Sequence, residues 1–500
     1  MVDRAAGKVS GYRRREPEKT QLHRVVQDTW LTFRDNLQGE GGFLPAFVAA
    51  EFEAYLGCGI LGKGFVNVRC EACAETRLVA FSCKRRGFCP SCLGRRMAET
   101  AAHVVDNVFP AVPARQWVLT VPHALRYRMA REPHLASVVL RVFLREVSRW
   151  YRKRARKAGV RGALATGAVT VIQRFGSGLA LNVHFHSVVT DGVFRVDTPG
   201  RPAFFATPPP RDEEVAEVTA RIWEGVTRAL ASSEERDAAD AEALSVIAGA
   251  SVKALIATGR RRGQAVMRLG NDPIASWEPY VLGKQCAFVE GFNLHASTRI
   301  AANDRDGLER LIRYIARPPL SEDRLSELPD GRVAVRLKRP WRDGTTHVAF
   351  TPEEFIEKLV ALVPRPRAQL VRYHGVFAPA AADRARIVPG GAGRKARRGC
   401  GKREGEGDGG EDHVTELRER GDAAAMSWAE LMRRVFAHEV LVCPRCAGPM
   451  KVLGPVQERG AIETILAYKG LSAEVPTWSP ARGPPGGTGE TGCDSDLWPA

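Results

Sequence analysis

Three groups of residues in this sequence have types and spacings suited to chemistry. Cys70-x2-Cys73 and Cys89-x2-Cys92, separated by 15 residues, have the spacing of a zinc site. Each CxxC turn points two thiolates at one spot, and two such turns complete a tetrahedron. Four thiolates leave no open coordination position, so the ion expected there is structural. Cys58 and Cys83 lie beside this set and are expected to be buried as small apolar residues, with exchange into the ligand set as the alternative. A further pair, Cys443-Pro444-Arg445-Cys446, is half a site. His438, His413 or a partner chain could complete a second zinc there; a tight turn with two free thiols is the other reading.

The second group is His184-Phe185-His186. On a strand, residues two apart share a face, so both imidazoles point one way while Phe185 points into a core. Two neutral imidazoles on one strand can hold a divalent metal and leave positions open for a phosphate oxygen. Gln173 stands in the strand expected to pair with the histidines and is the candidate third ligand; a glutamine that only hydrogen-bonds its neighbours is the alternative. The third group lies between Gly307 and Arg317. Leu308, Leu311, Ile312 and Ile315 recur at helical spacing and form one apolar stripe, with Tyr314 off its centre. Arg310 and Arg317 fall beside Tyr314 on the helix surface. A phenol flanked by two guanidiniums suits nucleophilic attack on a phosphodiester whose charge the arginines neutralise. The plainer reading is a half-buried tyrosine with snorkelling arginines.

These groups need elements to hold them. Residues 169–173 and 181–186 are β-rich runs around Gly176-Ser177-Gly178, which predicts a hairpin. Residues 117–121 read as a strand ended by Pro122, and residues 134–152 as an amphipathic helix running into the basic stretch 151–157. Residues 211–258 read as helix, 286–299 as strand interrupted at Gly291, and 305–316 as helix stopped by Pro318-Pro319. After these come a strand at 332–338 and a helix at 352–363. The expected units are a helical basic arm (1–40), a zinc-binding domain (41–105), a catalytic domain (110–320) and a basic DNA-binding extension (321–388). A Gly-, Arg- and Glu-rich linker (389–422), a small CxxC module (423–475) and a Pro- and Gly-rich disordered tail (476–500) complete the chain.

Composition narrows the partners. The 74 Lys and Arg exceed the 57 Asp and Glu, for a net charge of +17, which favours a polyanion and nucleic acid first. Lys84, Arg85, Arg86, Arg95 and Arg96 surround the cysteines, and Lys338, Arg339 and Trp341 form a basic aromatic patch; all eight are candidate DNA contacts. A packed basic hairpin is the alternative for the second group. No apolar h-region opens the chain and no long apolar run interrupts it, so a soluble cytosolic protein with reduced thiols is expected.

Several blocks together resemble one family. RCEACAETRLVAFSCKRRGFCPSCLGRRM, QWVLTVPHALRY, LNVHFHSVVTDGVF, LIRYIARPPLSEDRL, LKRPWRDGTTHVAF and VPRPRAQLVRYHGVFAP are similar, in order, to stretches of the rolling-circle insertion-sequence transposases of the IS-ninety-one kind and their common-region relatives, over residues 12–388. These belong to the HUH single-strand endonucleases, where U is a hydrophobic residue. The resemblance implies an α+β fold: an HUH-type antiparallel sheet with helices packed on one face, preceded by a four-cysteine zinc-binding domain. It implies that His184 and His186 bind Mg(2+) or Mn(2+), and that Tyr314 attacks a DNA phosphate to give a 5′-phosphotyrosine and a free 3′-OH. Some relatives carry a second tyrosine four residues earlier; here that position is Arg310, which resembles the single-tyrosine branch. The implied partners are single-stranded DNA at element ends and the host replication machinery, with a homo-oligomer possible, no membrane, and a nucleoid-associated cytoplasmic location. A plasmid replication initiator or relaxase of the HUH class, and a catalytically inactive zinc-dependent DNA-binding protein, are the competing readings.

Overall fold

The computed structural model describes residues 14–231, 243–270, 283–389 and 438–482, with 10–11, 430 and 433–434 besides. Of the linker expected at 389–422, residues 390–422 with His413, and of the tail expected at 476–500, residues 483–500, lie outside the described residues. The elements that matter here begin with α1 (Gln21–Gly39), α2 (Ala46–Leu56), β1 (Phe65–Cys70), β2 (Thr76–Ala80) and α3 (Pro90–His103). Next come β3 (Ala114–Thr120), α4 (His123–Arg131), α5 (Pro133–Lys157), β4 (Gly167–Phe175) and β5 (Leu181–Thr190). They are followed by α6 (Asp212–Ala231), α7 (Ala243–Val252), β6 (Met267–Leu269), β7 (Cys286–Val289), β8 (Phe292–His295) and α8 (Arg305–Ile315). The last are β9 (Leu325–Glu327), β10 (Val333–Arg336), β11 (His347–Phe350), α9 (Pro352–Leu362), β12 (Val371–Gly375), β13 (Met450–Val456) and α10 (Arg459–Tyr468).

The central sheet is antiparallel, in the order β7-β8-β3-β5-β4-β12, with Arg299–Ile300 also pairing with β3. The expected hairpin is its middle pair. Gln173 lies opposite His184 and Val171 opposite His186, with a bulge between Gln173 and Phe175, and Gly178 takes φ +66° in the turn. Alternation along β5 sorts its side chains. Val183, Phe185 and Val189 enter one core, while His184, His186 and Val188 face the other way.

The α+β class with antiparallel sheets is as the sequence reads, but helices cover both faces of the central sheet. On the Phe185 face, α5 packs Phe143 against Phe185 and Trp150 against Trp117. That core runs on without a break into the N-terminal domain, where Trp30 stacks on Phe52 at 4.0 Å and Phe88 sits against Phe52 and Tyr55. On the histidine face, Leu308, Leu311, Ile312 and Ile315 of α8 pack on Val169, Val171 and Val188. The apolar stripe read from the sequence is therefore what seats α8 on the face that carries the histidines.

One end of this sheet is tied by a buried polar cluster. The Asp191 carboxylate, at the turn after β5, accepts from Arg115 at 2.9 and 3.0 Å, from Arg299 at 3.0 Å and from the Tyr151 hydroxyl at 2.9 Å. Arg115 also donates to the Ala296 carbonyl at 2.8 Å. A carboxylate removed from water needs such a set of partners. Here they hold β3, β5 and the segment after β8 in register.

Of the smaller sheets, two bear on the sites described below. One has the order β6-β11-β10-β9, the other β13-β1-β2. The second unites residues from both ends of the chain, because β13 lies antiparallel to β1 with Met450 opposite Cys70 and Val456 opposite Phe65.

Candidate active site

β5 puts the two imidazoles side by side, with their Nε2 atoms 3.0 Å apart. Two ligands at right angles and about 2.1 Å from one ion are separated by about 3 Å, so the spacing suits a shared divalent ion. Each outer nitrogen is engaged. His184 Nδ1 lies 2.9 Å from the Asn182 carbonyl, and His186 Nδ1 lies 2.8 Å from the Gln116 amide. His184 donates through Nδ1–H to the Asn182 carbonyl, so its Nε2 lone pair faces the shared point, whereas the Gln116 amide nitrogen donates to His186 Nδ1. Turning that amide to present its oxygen would move the His186 proton to Nδ1 and free its Nε2 lone pair as well. Both rings are buried, and burial lowers the His184 pKa to about 4 and that of His186 to about 3; nearby Arg317 acts in the same direction. The imidazoles are therefore neutral at pH 7, the form that binds a metal.

Gln173 shares the histidine face, and its amide nitrogen donates to the Ile315 carbonyl at 2.6 Å. The bond joins the histidine hairpin to the last turn of α8, one residue beyond Tyr314. It commits the amide N–H, so the side-chain oxygen is the atom left for a metal. Asp304 caps the other end of α8 by accepting from Gly307 N–H at 2.7 Å.

Tyr314 is 48% exposed on this helix. The Arg317 guanidinium lies 4.4 Å and the Lys338 ammonium 4.3 Å from the centre of its ring. Arg317 also donates to the Tyr314 carbonyl at 2.8 Å and sits 5.6 Å from the Phe175 ring. Burial pushes the Lys338 ammonium below its usual pKa, and so do the positive charges of Arg317, Arg324 and Arg339. This concentration of cations beside an exposed phenol suits the binding of an anion. Arg310 is placed differently from the expectation: it extends towards Asp304, 3.8 Å away, with 71% of its side chain exposed. Trp341 lies under Arg268, 5.2 Å from its guanidinium.

The cysteines group otherwise than the sequence reading expects. Cys70, Cys73, Cys89 and Cys92 do not share a site. Cys58, Cys83, Cys89 and Cys92 form one cluster, and Cys70, Cys73, Cys443 and Cys446 form another. In the first, Cys58 lies 3.7 Å from Cys89 and from Cys92, and Cys83 lies 3.3 Å from Cys92, sulfur to sulfur. Tetrahedral zinc with bonds of about 2.3 Å separates its sulfurs by about 3.8 Å, so the donor set fits zinc. The reason for the regrouping is steric. Cys70 ends β1 while Cys89 opens α3, and the antiparallel pairing of β1 with β2 keeps the two apart. Cys58 and Cys83 thus stand within the group of four that could hold the ion, where the sequence reading expects them as buried apolar residues. Their signal in the sequence was number: six cysteines in 58–92 and two in 443–446 make two sets of four.

The candidate DNA contacts near the clusters are partly engaged within the chain. Arg86 donates to the Ala368 carbonyl at 2.7 Å, Arg96 to the Lys84 carbonyl at 2.8 Å, and Arg95 pairs with Glu99 at 2.7 Å. Glu51 feels the positive charge of Arg85. A separate open groove of about 670 Å3 runs along α5, lined by six Arg and Lys side chains between Arg145 and Lys157 and by Glu146. It lies on the helix that covers the other face of the sheet, away from the histidines. Gln116 was missed from the sequence, because only the β3–β5 register places it next to His186.

Two protein families match the chain. Residues 25–121 match the family described as "Transposase zinc-binding domain", and residues 167–385 match the family described as "Putative transposase". The first span holds Cys58, Cys70, Cys73, Cys83, Cys89 and Cys92; the second holds Gln173, His184, His186, Tyr314, Arg317 and Lys338. No curated protein and no solved structure matches the chain. Among the described residues, no helix is long and apolar enough to cross a membrane.

Proposed function

Because the chain belongs to the transposases of the IS-ninety-one family, DNA is its substrate, and we propose that it nicks and rejoins single-stranded DNA through a covalent link to Tyr314. The observation that carries this reading is the Gln173 bond to Ile315, which fastens the tyrosine helix to the hairpin bearing His184 and His186.

In this reading the Tyr314 oxygen attacks the scissile phosphorus, and the bond from phosphorus to the 3′-oxygen breaks. The phenol proton goes to solvent, and the departing oxygen takes one up to become a free 3′-OH. The 5′-phosphate stays on the tyrosine. Arg317 and Lys338 neutralise the phosphate oxygens as it approaches, the kind of preorganised charge that stabilises a phosphoryl transition state. His184 and His186, with the Gln173 oxygen, would hold Mg(2+) or Mn(2+), which supplies polarisation of the scissile phosphate. Asn182 and Gln116 fix the two rings. The ester linkage retains the energy of the broken bond, so a 3′-OH can later displace the tyrosine and rejoin the strand without a nucleotide cofactor. With Arg310 in place of a second tyrosine, the acceptor 3′-OH comes from the released strand, a second subunit or host replication.

The test is incubation of the full chain with single-stranded oligonucleotides from element ends and Mn(2+). A covalent protein–DNA adduct that disappears in Tyr314→Phe supports the reading. An adduct that persists in Tyr314→Phe refutes the nucleophile. DNA binding with no adduct at any metal concentration supports a DNA-binding module without cleavage.

A further inference from the structure

We propose that Cys70, Cys73, Cys443 and Cys446 bind a second zinc ion that closes one zinc ribbon from two segments at opposite ends of the chain, with the catalytic domain inserted between its halves. This stands apart from the catalytic reading and does not depend on it.

The two CxxC segments are structural repeats of one another. The Cys70 carbonyl accepts from Ala74 N–H at 3.2 Å, and Cys70 N–H donates to the Glu75 carbonyl at 2.7 Å. The Cys443 carbonyl accepts from Ala447 N–H at 2.9 Å, and Cys443 N–H donates to the Gly448 carbonyl at 2.9 Å. Ala74 and Ala447 take left-handed φ values of +56° and +57°, an uncommon state for a residue with a Cβ. Two turns with the same hydrogen bonds and the same strained position thus aim four thiols inward. Across them, Cys70 and Cys446 lie 3.5 Å apart and Cys73 and Cys443 3.6 Å apart, sulfur to sulfur. Those spacings fit a tetrahedral thiolate zinc site as well as the first cluster does. Gly448 packs closely beneath them; a Cβ there would lie 3.3 Å from the Cys446 sulfur and 3.1 Å from the Ala72 methyl.

Apolar burial alone is thin at this junction. One core consists of Leu61, Phe65, Leu78, Ile462 and Leu466, the other of Val68, Cys70, Cys443 and Met450. Val452, Leu453 and Tyr468 are exposed on the C-terminal segment. A unit this small generally needs a metal or disulfide staple, and none of the described cysteines is in a disulfide. The match to the transposase zinc-binding family ends at residue 121, so half of this ligand set lies outside it.

The experiment measures zinc in the purified full chain by mass spectrometry and backbone protection by hydrogen exchange. The expected content is two ions per chain, one for each cluster. Cys443→Ser with Cys446→Ser should hold one ion, and the β13 amides should lose protection while those of the central sheet keep theirs. A measurement without substitution guards against misfolding of the variant. A chromogenic chelator should strip the wild-type chain in two phases, with β13 protection lost in the faster phase, since Cys446 is exposed. One ion per chain in the wild type, two in the double variant, or β13 protection that survives loss of the ion would overturn the proposal.

Discussion

Arg317 and Lys338 approach the Tyr314 ring within 4.4 and 4.3 Å, and among the described residues neither cation has a carboxylate there to satisfy it. Their separate removal should read out differently from removal of the nucleophile. Lys338→Met is expected to slow adduct formation by roughly 100-fold, the scale of one lost charge-stabilising donor. It should also shallow the salt dependence of DNA binding by about one phosphate contact. Pre-steady-state adduct rates at several salt concentrations check both, and an unchanged rate would remove Lys338 from the site. Gln116 acts one step back, through His186. Gln116→Leu should weaken Mn(2+) binding about 10- to 100-fold while leaving binding of DNA without metal unchanged, as measured by calorimetry. At this scale the sequence was informative where chemistry is local. The His-x-His alternation and the helical phase of Tyr314 were readable because each depends only on near neighbours. Gln116 was not readable as a site member, since a cross-strand register brings it in; Lys338 was readable as a DNA contact but not as a neighbour of Tyr314, because its place follows a strand of a separate small sheet.

At the scale of elements, α8 is held by a stripe of four apolar side chains below and by Gln173 at its last turn. Leu311→Ala should cost about 2–5 kcal/mol of stability by loss of packing. Gln173→Leu should cost less in chemical denaturation, about 1–3 kcal/mol, yet reduce adduct formation more, because Tyr314 loses its tether. Equal effects on stability and chemistry would mean that Gln173 only packs. A different strand sets an acid limit. His374 on β12 is half-buried, its buried Nε2 has no hydrogen-bond partner among the described residues, and burial lowers its pKa to about 4. The unfolded state, with an ordinary value near 6.5, binds a proton over the interval between these two values while the folded state does not. Stability should therefore fall as pH drops from about 6.5 towards 4 and level off below. His374→Gln should flatten that part of the pH–stability curve. The helices and hairpins were legible from periodicity and turn residues. The helical layer on the second face was not, because α5 and α8 both read as amphipathic and nothing local says which face each one meets.

At the scale of the molecule, the buried Asp191 cluster secures the central sheet and the paired cysteine clusters secure segments outside it. Asp191→Ala should destabilise the chain by about 3–5 kcal/mol in guanidinium denaturation, because it strands Arg115 without its carboxylate. The second cysteine cluster closes a loop of roughly 370 residues between Cys73 and Cys443. On a chain-entropy view such a cross-link restricts the unfolded ensemble by about 6 kcal/mol. Sequence reasoning joins neighbouring CxxC pairs because short loops close easily, and nothing in the spacing announces a partner so far away. Only β-pairing across the two ends reveals it.

That separation has a temporal side. At about 5–20 residues per second of synthesis, Cys70 and Cys73 leave the ribosome roughly 20–75 s before Cys443 and Cys446 are made. Throughout that interval the nascent chain carries an open pair of thiols next to a completed cluster of four. The domain between them has time to fold before its enclosing ribbon exists.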